Sequence, residues 1–246
     1  MQWLVLFAAG LVGGMINSVS SGGSFFTYPA LLATGLPSIE AAATTLSALT
    51  PGNLAAIPEY RNEVRAHSDR YRRELPVVFV GATVGIVLLL ATGSDAFEQL
   101  VPWLILLATA LFAASPRLRD MARHSAPSVA NGMVGTLIVF VLSVYLTYFG
   151  SGVGNMFLAV LLIRGFGEFF DANAAKNVVI TVGVLMATVV YGIAGLVDWV
   201  ALIPIFIGST IGGAGFARAA RHLPITALRG LVITLGLAVA LYQFLD

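Results

Sequence analysis

The sequence has no cysteine and little charge. Aspartate, glutamate, lysine and arginine together make up 10% of its 246 residues, whereas hydrophobic residues make up 58%. Without cysteine, the chain has no disulfides, thiolate metal ligands or cysteine nucleophiles. Soluble domains carry about 25% charged residues. The composition therefore predicts an integral membrane protein.

Basic residues are absent from the first 60 positions, and Arg61 is the first. The start of the chain therefore lacks the positive segment of a secretory signal peptide, and residues 1–18 are predicted to be a retained membrane helix. The longest polar stretch is 61–74, so no soluble domain is expected. The arginines are scattered through short loops and form no basic face with interleaved aromatics, which argues against nucleic-acid binding.

Catalytic and metal-binding patterns are also missing. The three histidines, His67, His124 and His222, lie in basic loops, and no set of His, Asp and Glu has metal-ligand spacing. No nucleotide-binding loop occurs, so ATP is not expected to drive the protein. The serines have no histidine or lysine in the same apolar segment to activate them. We expect no cofactor, no metal and no enzymatic activity.

The single lysine, Lys176, follows Asn173-Ala174-Ala175 and precedes an uncharged apolar run from 178 to 194. A cation inside a membrane-length segment is costly and is a functional-site hypothesis by default. It is also disfavoured in the first turns of a helix, where the dipole is positive. Lys176 is therefore predicted to contact an anion. It could instead snorkel to the interface or pair with Asp171 or Glu168.

Apolar runs divide the chain into membrane-length segments and two shorter ones. A spanning helix needs about 20 apolar residues. The short runs, 24–36 and 155–166, each follow a break rich in glycine and serine. The long candidates are 2–19, 39–60, 75–92, 100–115, 127–149, 173–194, 199–216 and 225–244.

The two breaks belong to an internal repeat. Three segments of the first half recur in the same order in the second: Ser21-Gly22 as Ser151-Gly152, Ala43-Thr44-Thr45 as Ala175-Lys176-Asn177, and Gly81-xxx-Gly85 as Gly208-xxx-Gly212. The predicted repeats are 1–115 and 127–246, joined by a cytoplasmic linker, 116–126. The two Gly-xxx-Gly pairs are spaced for close helix packing and are assigned a structural role.

Charge predicts that the repeats are inverted. The loop after 39–60 carries five arginines, but the corresponding loop after 173–194 carries Asp198 and no cation. Because positive loops face the cytoplasm, corresponding loops face opposite sides. The predicted fold is an all-α integral membrane bundle of two inverted repeats, with about eight long helices and two short segments. The short segments either cross the membrane or form re-entrant hairpins, and both termini lie outside.

Glycine breaks inside apolar runs free backbone groups that lipid cannot satisfy, so such backbone must be buried in protein or line a wet cavity. Paired breaks in two inverted halves are the best sequence pointer to a transport site. Alternatively, the glycines only let helices approach closely. Asn17, just before the first break, is a further candidate.

The motifs resemble those of TauE/SafE (TSUP) permeases over nearly the whole chain. The resemblance lies in Ile16-Asn17, Ser21-Gly22-Gly23-Ser24-Phe25, Pro29-Ala30-Leu31-Leu32, Gly35-Leu36-Pro37, Ala43-Thr44, Pro51-Gly52, Tyr148-Phe149-Gly150-Ser151-Gly152-Val153-Gly154, Asn173-Ala174-Ala175-Lys176-Asn177 and Gly195-Leu196-Val197-Asp198-Trp199. It implies a multi-pass permease of the bacterial inner membrane that moves sulfite, sulfonates or related sulfur-containing organic anions.

The chain departs from the family pattern at both breaks. Its glycine triplet reads Gly22-Gly23-Ser24, Thr45 stands where many relatives carry Asn, and the second break reads Gly152-Val153-Gly154-Asn155. The added hydroxyls and amide are hydrogen-bond donors suited to oxyanion oxygens. The predicted substrate-binding residues are Asn17, Ser20, Ser21, Gly22, Gly23, Ser24, Thr44, Thr45, Gly152, Gly154, Asn155, Asn173, Lys176 and Asn177.

The expected function is a secondary carrier that binds a small anion at the midplane. A channel for the same anions and, third, an intramembrane enzyme are the alternatives. The sequence leaves the exact substrate, the direction, the coupling ion and the oligomeric state open.

Overall fold

A computed structural model describes residues 1–19, 22–51, 54, 57–124, 132–219, 230 and 233–241. These residues contain no strand, which confirms the all-α prediction. The helices are α1 (Gln2–Val19), α2 (Ser24–Leu32), α3 (Ser38–Ala48), α4 (Arg61–Ala66), α5 (Ser68–Ala91), α6 (Ser94–His124), α7 (Met133–Tyr148), α8 (Gly154–Ile163), α9 (Phe169–Ile193) and α10 (Trp199–Ala219). A short 3-10 helix, Ile57–Tyr60, precedes α4, and residues 233–241 are also helical.

The long apolar runs become helices with shifted ends. Three stretches are long and apolar enough to cross a membrane, namely Ser68–Ala91, Ser94–Ala114 and Phe170–Ile193, and shorter apolar helices accompany them. The predicted single helix 39–60 is wrong, because α3 ends at Ala48, and the helical residues Thr50, Pro51 and Leu54 and then the 3-10 helix follow it separately. Pro51 cannot donate the hydrogen bond that would continue α3, but it is tolerated in the first turn of a new helical stretch, where it lies.

The predicted linker is helical as far as it is described. α6 runs through Pro116 to His124. Half of the predicted helix 225–244, and residues 125–131, lie outside the described residues.

The two short helices fold back along the helices that precede them. The side-chain oxygen of Asn17 on α1 accepts a hydrogen bond of 2.9 Å from the amide of Gly23, and Gly13 contacts Gly23 and Thr27 further along α2. Likewise, Arg164 at the end of α8 reaches Thr136 near the start of α7. With 9 and 10 residues, α2 and α8 are roughly 14 and 15 Å long, about half of a 30 Å bilayer core. Both pairs therefore have the shape of a hairpin.

The first helix of each half packs closely against a later helix of the other half. Along α1 and α10, Gly10 meets Ile205 and Gly14 meets Ser209, so the two helices run parallel. A Cβ atom built on Gly208 or Gly212 would overlap the backbone of α1. Small residues at such crossings let backbones approach and gain van der Waals contact in lipid. The packing role predicted for Gly208 and Gly212 is confirmed.

The equivalent crossing joins α5 and α7. Gly81 meets Phe140 and Gly85 meets Val144, so these helices also run parallel. The hydroxyl of Thr147 donates to the carbonyl of Ala82 at 2.9 Å. The packing role predicted for Gly81 and Gly85 is likewise confirmed.

The first helices of the two halves run in opposite directions. His67, next to the start of α5, lies 3.7 Å from Asp171 at the start of α9. The 25 residues of α9 span roughly 37 Å, and α10 begins six residues after α9 ends. Helices α5 and α10 therefore start on opposite faces. Because α7 is parallel to α5 and α1 to α10, α1 is antiparallel to α7.

These contacts group the helices into two bundles. The first bundle consists of α1, α2, α3 and α10, and the second consists of α5, α7, α8 and α9. Helix α6 packs against α8 and α3, and α9 also meets α3 across the boundary. Each bundle thus contains one helix from the opposite half of the sequence.

A buried ion pair strengthens the second bundle. Nε of Arg164 donates to a carboxylate oxygen of Glu74 at 2.7 Å, and both side chains are buried. Arg70 in turn donates to the carbonyl of Arg164 at 2.7 Å. The turn between α8 and α9 is therefore fixed to the start of α5.

We expect Gly85→Ala to destabilise the protein because its Cβ would overlap the carbonyl of Val144 on α7. Overpacking of this kind costs about 1–3 kcal/mol. The matched control is Gly93→Ala, since nothing lies within 4 Å of a Cβ there. The thermal unfolding midpoints of both variants in detergent test this, and equal midpoints would contradict the packing role of Gly85.

Candidate functional site

The two helix breaks lie at the same depth, as their contacts with α6 show. Gly152 of the second break packs against Ala108, and Gly22 of the first packs against the ring of Phe112. Four residues of one helix correspond to about 6 Å along its axis. The breaks therefore contact α6 within about 6 Å of each other along its axis.

A cavity of about 40 Å³ lies between them, at the boundary of the two bundles. Its polar wall contains the predicted residues Asn17, Ser24, Thr45 and Gly154. The other lining residues are Leu46, Leu49, Leu146, Phe149, Gly150, Val153, Ile180 and Val184. The cavity thus brings together residues from both breaks and from the helices α3 and α9.

Two helix N-termini converge on this cavity. Helices α2 and α8 have Gly23 and Val153 at their N-cap positions, and neither helix has a side-chain cap or an acidic residue in its first turn. The first N–H groups of a helix lack partners within it, and the helix dipole adds partial positive charge there. Both ends therefore favour a negatively charged group.

Asn17 presents a donor to the cavity. Its Oδ1 accepts the hydrogen bond from the backbone N–H of Gly23. The Nδ2 group of the same side chain is not used by that bond. Asn17 therefore satisfies one N–H group of the break and offers N–H donors of its own.

Thr45 is the clearest sign of a ligand position. Its side chain is 4% exposed, and its hydroxyl is buried without a hydrogen-bond partner. Most buried polar atoms in proteins are paired, and an exception calls for a reason such as an unseen water or ion. Since Thr45 lines the cavity, its hydroxyl is placed to donate to an occupant.

The apolar wall was missed by sequence reasoning. Leu46, Leu146, Ile180 and Val184 are ordinary members of long apolar runs. Ile180 and Val184 are four residues apart on α9, so the sequence predicts that they share one face of the helix. It does not predict what that face contacts. No signal in a single sequence distinguishes them from lipid-facing or core residues.

Lys176 is buried, with 5% exposure, but does not line the cavity. It lies one turn before Ile180 on the same face of α9. Since α9 begins at Phe169, Lys176 is about two turns inside the helix, and the dipole penalty expected for a first-turn cation does not apply there. The unfavourable burial of a cation remains.

The neighbours of Lys176 on α9 have structural contacts. Asn173 donates to the phenol oxygen of Tyr60 at 3.2 Å, and Asn177 is buried without lining the cavity. Asn173 is not an N-cap, because Glu168 holds that position and forms a capping box with Asp171.

The remaining candidates are divided between packing and the cavity rim. Thr44 accepts a hydrogen bond of 3.0 Å from the amide of Asp198 and faces α10. Gly22, Gly23 and Gly152 pack the breaks against α6 and α1, and Asn155 is buried beside Gly154. Ser20 and Ser21 lie outside the described residues.

Among the described residues, no group of three His, Asp or Glu side chains is placed to hold a metal ion.

Comparison with known proteins places the chain in a family. The family model described as "Sulfite exporter TauE/SafE" matches residues 6–243. The chain is 28% identical to a "Probable membrane transporter protein" of Haemophilus influenzae over 94% of this chain and 90% of that protein. It is 26% identical to the "Probable membrane transporter protein ORF9" of Sinorhizobium sp, over 98% and 92% of the two chains.

It is also 27% identical to the "Probable membrane transporter protein YfcA" of Escherichia coli K12, over 85% of this chain and 78% of that one. No solved structure matches the chain significantly. The chain belongs to the TauE/SafE family of membrane transporters.

Proposed function

We propose that this protein is an inner-membrane secondary transporter for a small anion, sulfite or a sulfonate, which binds in the cavity between the two helix breaks. The observation that carries the proposal is the convergence of two uncapped helix N-termini on one cavity. The names of the family and its relatives supply the transporter class, and the chemistry of the cavity supplies the charge of the substrate.

The cavity is built to donate hydrogen bonds. The side chains of Asn17, Ser24 and Thr45 can donate, and none of the described lining residues is a carboxylate. Each helix N-terminus carries a partial charge of roughly +0.5. In a low-dielectric site these partial charges attract an anion more strongly than they would in water. The same groups disfavour a cation.

The volume favours a compact oxyanion. About 10–15 Å³ of such space holds one water, so a cavity of about 40 Å³ holds roughly three. Sulfite has four heavy atoms and is of this size. A longer sulfonate needs the apolar wall of Leu146, Ile180 and Val184 to move outward.

The two bundles supply a route to alternating access. The cavity is bounded by α3 from the first bundle and by α7 and α9 from the second. Inverted repeats commonly expose a central site to each side in turn by rocking one bundle against the other. We infer that the moving units are the two bundles rather than the sequence halves, because the helix exchange ties α5 to α7 and α10 to α1.

Charge assigns the faces. The segment 61–74, which forms α4 and the start of α5, is basic and is fixed to the turn between α8 and α9, so this face is inside. The acidic turn at Asp95 and Glu98 and the turn at Asp198 lie on the outer face, and both termini are placed outside.

Thr45→Val is expected to weaken anion binding. It removes the unpaired hydroxyl while keeping the shape, and a hydrogen bond to a charged group contributes about 1.5–3 kcal/mol, or roughly 10–150-fold in Kd. Thermal stabilisation of the purified protein by sulfite, sulfonates and carboxylates measures this, because a ligand of the native state raises its stability.

The matched control is Thr181→Val. Thr181 is also buried with an unpartnered hydroxyl, but it does not line the cavity. If both valine variants bind the anion like the wild type, the cavity is not the site. If no anion stabilises the wild type, the anion assignment fails and the fold assignment does not.

Lys176 stays a separate prediction. Lys176→Ala should weaken anion affinity and leave the protein folded, and Lys176→Arg should not fully restore it, because a planar fork does not replace a point charge. The same stabilisation measurement applies. Equal stabilisation of the wild type and Lys176→Ala would make Lys176 structural.

The proposed orientation is testable by single cysteines, since the chain has none of its own. Arg65→Cys and Arg218→Cys should react with an impermeant thiol reagent from the inside, and Gly93→Cys and Ala194→Cys from the outside. Reaction of positions 65 and 218 from opposite sides would overturn the inverted topology.

A further inference from the structure

We propose that Phe149 is the outer gate of the cavity, and that the substrate passes the ring of Phe149 on its way between the cavity and a smaller pocket beside Ser151 and Tyr28. This inference rests on the proposed function, which supplies the substrate and the assignment of the outer face. The geometry of the gate itself is independent of which anion binds.

Phe149 separates two spaces. Besides the main cavity, a second pocket of about 10 Å³ is present, enough for about one water. Ser24 and Phe149 line both spaces. The second pocket is otherwise lined by Phe25, Tyr28, Pro29, Ile105, Ser151 and Val239. Movement of one ring would therefore join the two spaces.

Phe149 packs against three aromatic rings, and one of them lies towards the acidic face. Its ring centroid is 5.7 Å from that of Tyr28, 6.3 Å from that of Tyr145 and 6.5 Å from that of Phe97. Phe97 is in the first turn of α6, which begins at Ser94 on the acidic face. The ring of Phe149 thus stands between the cavity and the face that we assign to the outside.

The backbone at Phe149 is suited to movement. The helix α7 ends at Tyr148, and Phe149 has φ −138° and ψ −39°. Gly150 and Gly152 follow with φ of +77° and +73°, a region that glycine enters readily and other residues rarely do. The ring is therefore attached to a break rather than to a continuous helix. Hinge motions are absorbed at such positions.

The energy that holds the ring is modest. Aromatic pairs contribute about 0.5–1.5 kcal/mol each beyond burial. Contacts of this strength keep the ring in place without a substrate and can be exchanged when the bundles move. By contrast, Leu146 and Val184 line the cavity from within continuous helices, where the backbone cannot release them.

The second pocket offers polar groups on the far side of the ring. The hydroxyl of Tyr28 is buried beside Ser38, and Ser151 is 5% exposed. Ser24, which lines both spaces, is 8% exposed. An anion that leaves the helix N-termini would therefore meet hydroxyl donors along this path rather than bare hydrocarbon.

The test measures access to the cavity from each side. In the full chain, Leu49→Cys places a thiol on the cavity wall, and a membrane-impermeant methanethiosulfonate reagent is applied outside to right-side-out vesicles and inside to inverted ones. Adding Phe149→Ala should raise the modification rate from outside by roughly tenfold, a shift of about 1.4 kcal/mol in the open population. The rate from inside should not change.

Leu146→Ala is the matched control, because it also removes a large apolar side chain from the cavity wall but lies inside α7. It should leave the outside rate near that of the parent. Phe149→Leu, which keeps apolar volume without the ring, is the second variant if the alanine variant fails to fold, and it should raise the outside rate in the same direction.

The proposal is overturned if the Phe149 variants fold and their outside rate stays equal to that of Leu146→Ala, or if the inside rate rises equally. Failure of the proposed function has a different signature. In that case the outside rate responds to Phe149, but neither sulfite nor a sulfonate protects the cysteine from modification.

Discussion

Backbone N–H groups inside a bilayer must find partners within the protein, because lipid offers none and an unpaired group costs several kcal/mol. The two helix breaks place such groups at one depth, and much of the surrounding structure serves them. The middle of α6 covers the breaks at Ala108 and Phe112. The side chain of Asn17 accepts a hydrogen bond from the N–H of Gly23. The other free N–H groups at the N-termini of α2 and α8 point toward a shared cavity. The same groups that make the breaks costly to bury give the cavity its preference for negative charge.

The cavity lies at a boundary between bundles, and this position has a physical reason. A protein core packs to the density of an organic crystal, so a space inside one bundle would be filled by side chains. Within the bundles, specific bonds fix neighbouring helices, such as Arg164 to Glu74 and Ser209 to the carbonyl of Ala48. Across the cavity, the contacts include the edge-to-face pair of Tyr28 and Phe149 and the approach of Leu46 to Gly150. Apolar contacts of this kind allow one surface to slide or rock on another without leaving a buried charge unpaired.

The sequence predicted the features that depend on local chemistry. Glycine breaks, the repeat and the spacing of Gly81 and Gly85 are legible because backbone freedom and small size belong to the residue itself. Four of the predicted binding residues, Asn17, Ser24, Thr45 and Gly154, do line the cavity. What a single sequence leaves open depends on tertiary context. The sequence places Thr44 and Thr45 side by side, but only packing decides that Thr44 faces α10 while Thr45 faces the cavity. Lys176 was prominent because its charge is rare, yet the face on which a buried lysine lies is set by its neighbours.

The exchange of helices between the two halves has a consequence for how the protein is made. α1 leaves the ribosome well before its close partner α10 is synthesised. Until then, the face of α1 that carries Gly10 and Gly14 is exposed to lipid or to the insertion machinery. The helix must be held there without its final contacts. Neither half can complete a bundle by itself. The two halves could therefore have diverged in sequence after a duplication, but they could no longer separate into independent proteins without rebuilding both crossings.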